Sequence, residues 1–160
     1  MLRKISEEMC VEVIKTFKNG RSPGTDGLPI EFYKIFWNDI KNLVLNSFSY
    51  SYEQKNMSVS QKQSIITLLS KRDKDTRLLK NWRPISLLNV DCKIMAKCIA
   101  SRLKLVLKKI ISENQCGFIK GRYIGDNIRS LLEVIDLAEE ENLSCIIISI
   151  DFEKAFDTIK

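Results

Sequence analysis

Asp151 stands directly after Cys145–Ile150, a run that is apolar apart from Ser149. A carboxylate at the tip of a buried strand is a rigid oxygen ligand. Hard Mg²⁺ is commonly held by one or two such carboxylates together with substrate phosphates, and the backbone carbonyl of Phe152 would lie beside it. The same aspartate could instead cap the turn that follows the strand, and from the residues alone both readings stand. Asp157, six positions on, belongs to the same local turn and reads as a surface charge. Phosphates need cationic donors. Lys71 and Arg72 at the tip of an expected hairpin, and Arg83 on its returning arm, could converge on a triphosphate, the arginines through paired hydrogen bonds. Singly, each is an ordinary surface charge. Lys93, Lys97, Lys104 and Lys108 fall on one side of an expected helix at 100° per residue, and no acid lies between Asp91 and Glu113. Such a face is either solvated or turned toward a phosphate backbone.

The elements that must position these groups are legible in the periodicity. Ser6 with Glu7 and Glu8 marks a helix N-terminus, and the helix should run to about Lys18. The turn formers of Ser22-Pro23-Gly24-Thr25-Asp26-Gly27 make a tight loop. Pro29 then opens a long helix whose predicted apolar face is Phe32, Phe36, Ile40 and Leu43. Ser64 to Lys71 reads as a strand, and N-W-R-P-I-S-L-L as its partner, with Pro84 at an edge or bend. Val90 to Ile111 is predicted as a helix carrying the stripe Met95, Ile99, Leu103, Val106 and Ile110. Asn114 to Phe118 interrupts as a loop. A helix from about Asp126 to Glu141 should pack through Ile128, Leu131, Leu132 and Ile135, and Cys145 to Ile150 should be a strand buried on both faces. The fold class is therefore α/β, in the α+β sense.

Composition narrows the chemistry. The chain has 160 residues and a net charge of +6, with no histidine, so an anionic partner such as nucleic acid is in view. Ser/His/Asp and Cys/His catalysis are excluded. There is no G-x-x-x-x-G-K-[ST] or G-x-G-x-x-G motif, so ordinary P-loop and dinucleotide folds are unsupported. Five cysteines without a C-x-x-C pair argue against structural zinc and for reduced, mostly buried thiols in an intracellular protein. The N-terminus lacks the apolar core of a signal peptide, and no run of about 18 apolar residues could span a membrane.

Four segments, S-P-G-T-D-G-L-P-I-E-F-Y, N-W-R-P-I-S-L-L-N-V-D-C-K-I-M-A-K-C-I-A-S-R-L, N-Q-C-G-F-I-K-G-R and I-D-F-E-K-A-F-D, occur in this order. Together they resemble the reverse transcriptase of a LINE-type (non-LTR) retrotransposon, from about residue 5 to the end. The resemblance implies part of a right-hand polymerase, helix-rich with a β-hairpin: a fingers region over 1–143 and the first palm strand over 144–160, with the palm incomplete. It implies an RNA-directed DNA polymerase using two Mg²⁺ ions, an RNA template, a DNA primer and dNTPs, in the nucleus or a cytoplasmic ribonucleoprotein. Asp151 matches the first catalytic, metal-binding aspartate, with the Phe152 carbonyl on the same metals. Phe156 matches the aromatic that excludes a 2′-hydroxyl. Arg83, with Lys71 or Arg72, faces the dNTP. Gln115, Gly117 and Phe118 match an element near the template and nascent base pair, and Ser22, Pro23, Gly24, Asp26 and Gly27 a loop along the template backbone.

Thr25 replaces a common proline and Phe152 a common alanine, and neither change removes a functional group. The aromatic-Ala-Asp-Asp turn that completes a two-metal site is absent from these residues. The remainder of the polymerase is thus expected to be needed, and this chain alone to be inactive. The alternatives are a non-catalytic nucleic-acid-binding remnant and, apart from the three upstream motifs, a phosphoacceptor domain.

Overall fold

The computed structural model describes residues 4–152, which divide between Val106 and Leu107 into two compact units. The mixed α/β class is as expected: six helices and one two-stranded antiparallel sheet among the described residues.

In the first unit, α1 (Glu7–Lys15) begins where Ser6 accepts the amide of Met9 and two acids occupy the positive end of the helix. It stops at Thr16, short of the expected Lys18, because Thr16 turns its hydroxyl back to the Val13 carbonyl at 2.6 Å. The expected long helix after Pro29 is two: α2 (Ile30–Ile35) and α3 (Trp37–Glu53), sharing Phe36 as a cap with φ −97° and ψ 14°. That one non-helical residue resets the periodicity. The buried face is therefore Ile30, Tyr33, Trp37, Val44 and Phe48, while Leu43 is 74% exposed and Phe36 46%. Phe32 and Ile40 do reach the core, from its margin.

The short α4 (Val59–Lys62) starts in a reciprocal capping box between Ser58 and Gln61. Gln61 is almost fully buried. Its amide donates to Ser47 at 3.4 Å and to the Asp91 carboxylate at 2.9 Å, tying α3 and α4 to the segment that follows the hairpin. The hairpin follows as expected. Strand β1 (Ser64–Ser70) pairs with β2 (Trp82–Leu88) from Ser64↔Leu88 to Ser70↔Trp82, Pro84 opposite Leu68, and a 3₁₀ turn at Leu79–Asn81 precedes β2. The Trp82 indole donates to the Thr76 carbonyl at 2.8 Å, closing the tip. Ile65, Ile66, Leu68 and Leu69 all stand in solvent, so both faces of the hairpin are open.

Helix α5 (Val90–Ile110) was expected to bury the stripe beginning at Met95. The core takes a different face, Val90, Ile94 and Cys98, one residue earlier in the cycle and packed on Cys10, Val13, Ile14, Trp37 and Phe48. Cys10 and Cys98 are both fully buried. The hydrogen bond that the Cys10 thiol donates to Cys98, then burial, pushes Cys10 up from its ordinary value. The other stripe, from Met95 through Ile99 and Leu103 to Val106, lines an open cavity of about 860 Å³ together with Phe48, Tyr52 and Met57.

In the second unit, the last residues of α5 lead through a loop to α6 (Ile124–Glu140). The apolar positions of α6 are not covered as expected: Ile128, Leu131 and Leu132 are exposed and Ala138 is its buried residue. Cys145–Ile150 is not a strand. A strand exists through its ladder partner, none of the described residues pairs with this segment, and Ile146 and Ile148 are 88% and 75% exposed. Four of the five thiols are buried and free, and Cys145 is exposed.

Candidate nucleic-acid and nucleotide interface

The loop at Ser22–Gly27 is held in the first unit by one side chain. Asn89, the residue after β2, is 2% exposed. Its Oδ1 accepts from the Thr25 hydroxyl at 3.1 Å and from the Asp26 amide at 3.3 Å, and its Nδ2 donates to the Ser60 carbonyl at 3.0 Å. Gly24 is buried where a Cβ would stand 2.4 Å from the Asn89 nitrogen and 2.6 Å from the Leu88 carbonyl carbon, so only glycine lets the loop pass so close to the strand end. Asp26 turns its carboxylate to the Leu28 amide, and Gly27 follows at φ +70°. Ser22, Asp26 and Gly27 remain exposed and Pro23 is half-buried. Below them, Tyr33 is buried, and burial, reinforced by the charges of Asp91 and Asp26, pushes its phenol above the ordinary value. The structure thus joins two motifs, 64 residues apart in the chain, through the Thr25–Asn89 contact. Asn89 is a positioning residue that periodicity could not single out. An asparagine between an apolar strand and a helix start was its one signal.

At the hairpin, Arg83 is opposite Leu69. Lys71 bonds through its amide to the Asn81 carbonyl at 2.7 Å, extending the register by one step. Two-residue alternation therefore puts Lys71 and Arg83 on one face, whereas Arg72 lies in the turn beyond the ladder. Lys71 also donates to the Lys80 carbonyl at 3.0 Å, whereas Arg72 and Arg83 are exposed. Of the lysines on α5, Lys97 is not simply solvated: its ammonium lies 4.3 Å from the centre of the Phe17 ring. Lys93 is half-buried, and Lys104 and Lys108 are exposed.

In the second unit, the Gln115–Phe118 loop bears the most exposed aromatic of the described residues. Phe118 has a relative exposure of 105% and a left-handed backbone, φ +62°. A bulky residue there is uncommon and costs about 1–2 kcal/mol. Gln115 donates from its amide to the Gly117 carbonyl at 3.3 Å. The buried thiol of Cys116 donates to the Asn127 side chain at 3.0 Å, fastening the loop to α6. Asp151 and Phe152 are exposed. Phe156 lies outside the described residues, as do Glu153 and Asp157. Among the described residues no three His, Cys, Asp or Glu side chains gather where a metal could sit. Asp151 and the Phe152 carbonyl do not by themselves make a Mg²⁺ site, and no chemical step is assigned to one. No helix among the described residues is long and apolar enough to cross a membrane.

Comparison with known proteins places these pieces. The transposon TX1 uncharacterized 149 kDa protein of Xenopus laevis is 36% identical over 148 residues, covering 92% of this chain and 11% of that protein. The probable RNA-directed DNA polymerase from transposon BS of Drosophila melanogaster is 26% identical over 99% of this chain and 18% of its own length. Its counterpart from transposon X-element, also of Drosophila melanogaster, is 28% identical over 92% of this chain and 16% of its own. The chain therefore spans less than a fifth of the length of these curated relatives. The family model described as reverse transcriptase (RNA-dependent DNA polymerase) matches residues 69–160, which takes in β2, α5, the Gln115–Phe118 loop and Asp151. With more than half of its length inside that match, the chain belongs to the reverse transcriptase family.

Proposed function

We propose that this chain is the template- and nucleotide-facing part of an RNA-directed DNA polymerase from a LINE-type (non-LTR) transposable element, working in the nucleus or a cytoplasmic ribonucleoprotein. The observation that carries the reading is the joining, through Asn89, of the Ser22–Gly27 loop to the end of the strand bearing Arg83. A template contact and a triphosphate contact would then move as one piece. Lys71 and Arg83 are the donors to the dNTP, Phe118 is the ring that stacks on a base, and Lys104 and Lys108 meet phosphates. Asp151 and the Phe152 carbonyl are the first ligands of a Mg²⁺ site that the rest of the polymerase completes, and Phe156 gates the sugar. The full enzyme would transfer a nucleotide to a primer 3′-hydroxyl by positioning and charge stabilisation.

These 160 residues, which hold no aromatic-Ala-Asp-Asp turn, bind an RNA–DNA template-primer but do not extend it. Binding should weaken steeply with salt, and the charge reversals Lys104→Glu and Lys108→Glu should each flatten the salt slope by about one. Unchanged affinity and slope would refute the interface. Extension of the primer by the purified chain, lost in Asp151→Ala, would refute the claim of inactivity. A non-catalytic nucleic-acid-binding role makes the same binding prediction. It is separated by joining the chain to the remaining polymerase sequence and testing whether Arg83→Ala raises the KM for dNTP.

A further inference from the structure

Arg122 is the last residue of the N-Q-C-G-F-I-K-G-R segment. Its guanidinium donates to the carbonyls of Ile111 at 2.9 Å, Gln115 at 2.7 Å and Lys108 at 3.5 Å, and also to that of Ser112. Two of these carbonyls mark the end of α5: that of Lys108 in its last turn, where the final carbonyls have no partner within the helix, and that of Ile111, the residue just after it. The other two open the loop that carries Phe118. A single planar cation thus neutralises the negative end of α5 and fixes the first residues of the loop to it. Arg122 is itself turned into place by the bond from its amide to the Ile119 carbonyl at 3.2 Å. Five N–H donors in a rigid fork can satisfy four carbonyls, whereas a lysine ammonium has three donors and no fork.

We propose that Arg122 is a positioning residue that sets the pose of the Gln115–Phe118 loop toward the template, without itself touching nucleic acid. The left-handed turn at Phe118 supports this, because such a conformation persists only where its surroundings over-determine it. On the far side the Cys116–Asn127 bond completes the fastening. The role rests on the proposed template contact of Phe118, and the test separates the two.

Amide hydrogen exchange over residues 112–118, and affinity for an RNA template annealed to a DNA primer with a single-stranded overhang, are measured for Arg122→Ala, Arg122→Lys, Phe118→Ala and the Arg122→Ala/Phe118→Ala double variant. Arg122→Ala should speed exchange across the loop and weaken binding by about tenfold, the scale of one lost base stack. The double variant should bind no worse than either single one, and the salt slope should stay unchanged. Arg122→Lys, which keeps the charge at the helix end, should fall between parent and alanine in both readouts. Unchanged exchange in Arg122→Ala overturns the proposal. So do additive losses with a salt slope lower by about one, which would mark a direct phosphate contact. If Phe118→Ala binds as the parent does, the template reading of the loop fails. The exchange data then decide alone whether Arg122 holds it.

Discussion

Asn89 and Gly24 form the tightest residue-level dependency in the first unit. Asn89→Ala would leave the Thr25 hydroxyl, the Asp26 amide and the Ser60 carbonyl without their shared partner. Unmet polar groups of this kind cost about 1–3 kcal/mol. Gly24→Ala would force a methyl against the backbone of Leu88 and Asn89, and overpacking costs about the same, 1–3 kcal/mol. Both variants should lower the urea midpoint with an unchanged m-value, and a fall of under about 0.5 kcal/mol in either would contradict the clip. At this scale the sequence was informative about chemistry and silent about geometry. Lys71 and Arg83 were identifiable as cations on a hairpin, but only the register and its one-step extension show that they share a face, while Arg72 falls in the turn. Arg122 stood within a recognised segment, yet its four carbonyl partners depend on how the connection between α5 and α6 folds back on the end of α5.

Elements were legible where local signals acted alone and were misread where a single residue changed the phase. The hairpin matched expectation to within one residue, because β-branched runs, turn residues and Pro84 all agreed. The faces of α3 and α5 did not. Phe36 interrupts one helix, and α5 offers two apolar stripes, of which the core accepts the one at Val90, Ile94 and Cys98. Periodicity identifies a stripe but not the neighbour that will cover it. The same limit applies to Cys145–Ile150, whose composition is that of a buried strand although none of the described residues pairs with it. The hairpin, with open faces and a single ladder, should be the least protected ordered element of its unit. Amides of Ile66 and Leu68 should exchange at least about tenfold faster than those of Val13 and Ile14 in α1, and equal protection would show that the hairpin is covered.

For the whole molecule, the buried acids that stay neutral set an alkaline limit. Burial raises the Tyr33 phenol and the Cys92 thiol above their ordinary values. A group whose folded value is raised contributes stability in full below its unfolded value, about 8.5 for cysteine and 10 for tyrosine. That contribution is lost as pH climbs toward the folded value. The urea midpoint should therefore be level from about pH 7 to 8 and fall from about pH 9 upward. Tyr33→Phe should blunt the fall above about pH 10, and a midpoint level to pH 11 would contradict this assignment.

The two tryptophans of the chain occupy opposite circumstances in the first unit. Trp37 is sealed among the helices, and Trp82 sits partly open at the hairpin mouth, tethered to Thr76. Its ultraviolet emission is consequently the sum of two natural dyes, a blue-shifted one in the apolar interior and a red-shifted one near water. Replacing either indole by phenylalanine isolates the other, so the interior and the hairpin can each be watched optically without attaching a label.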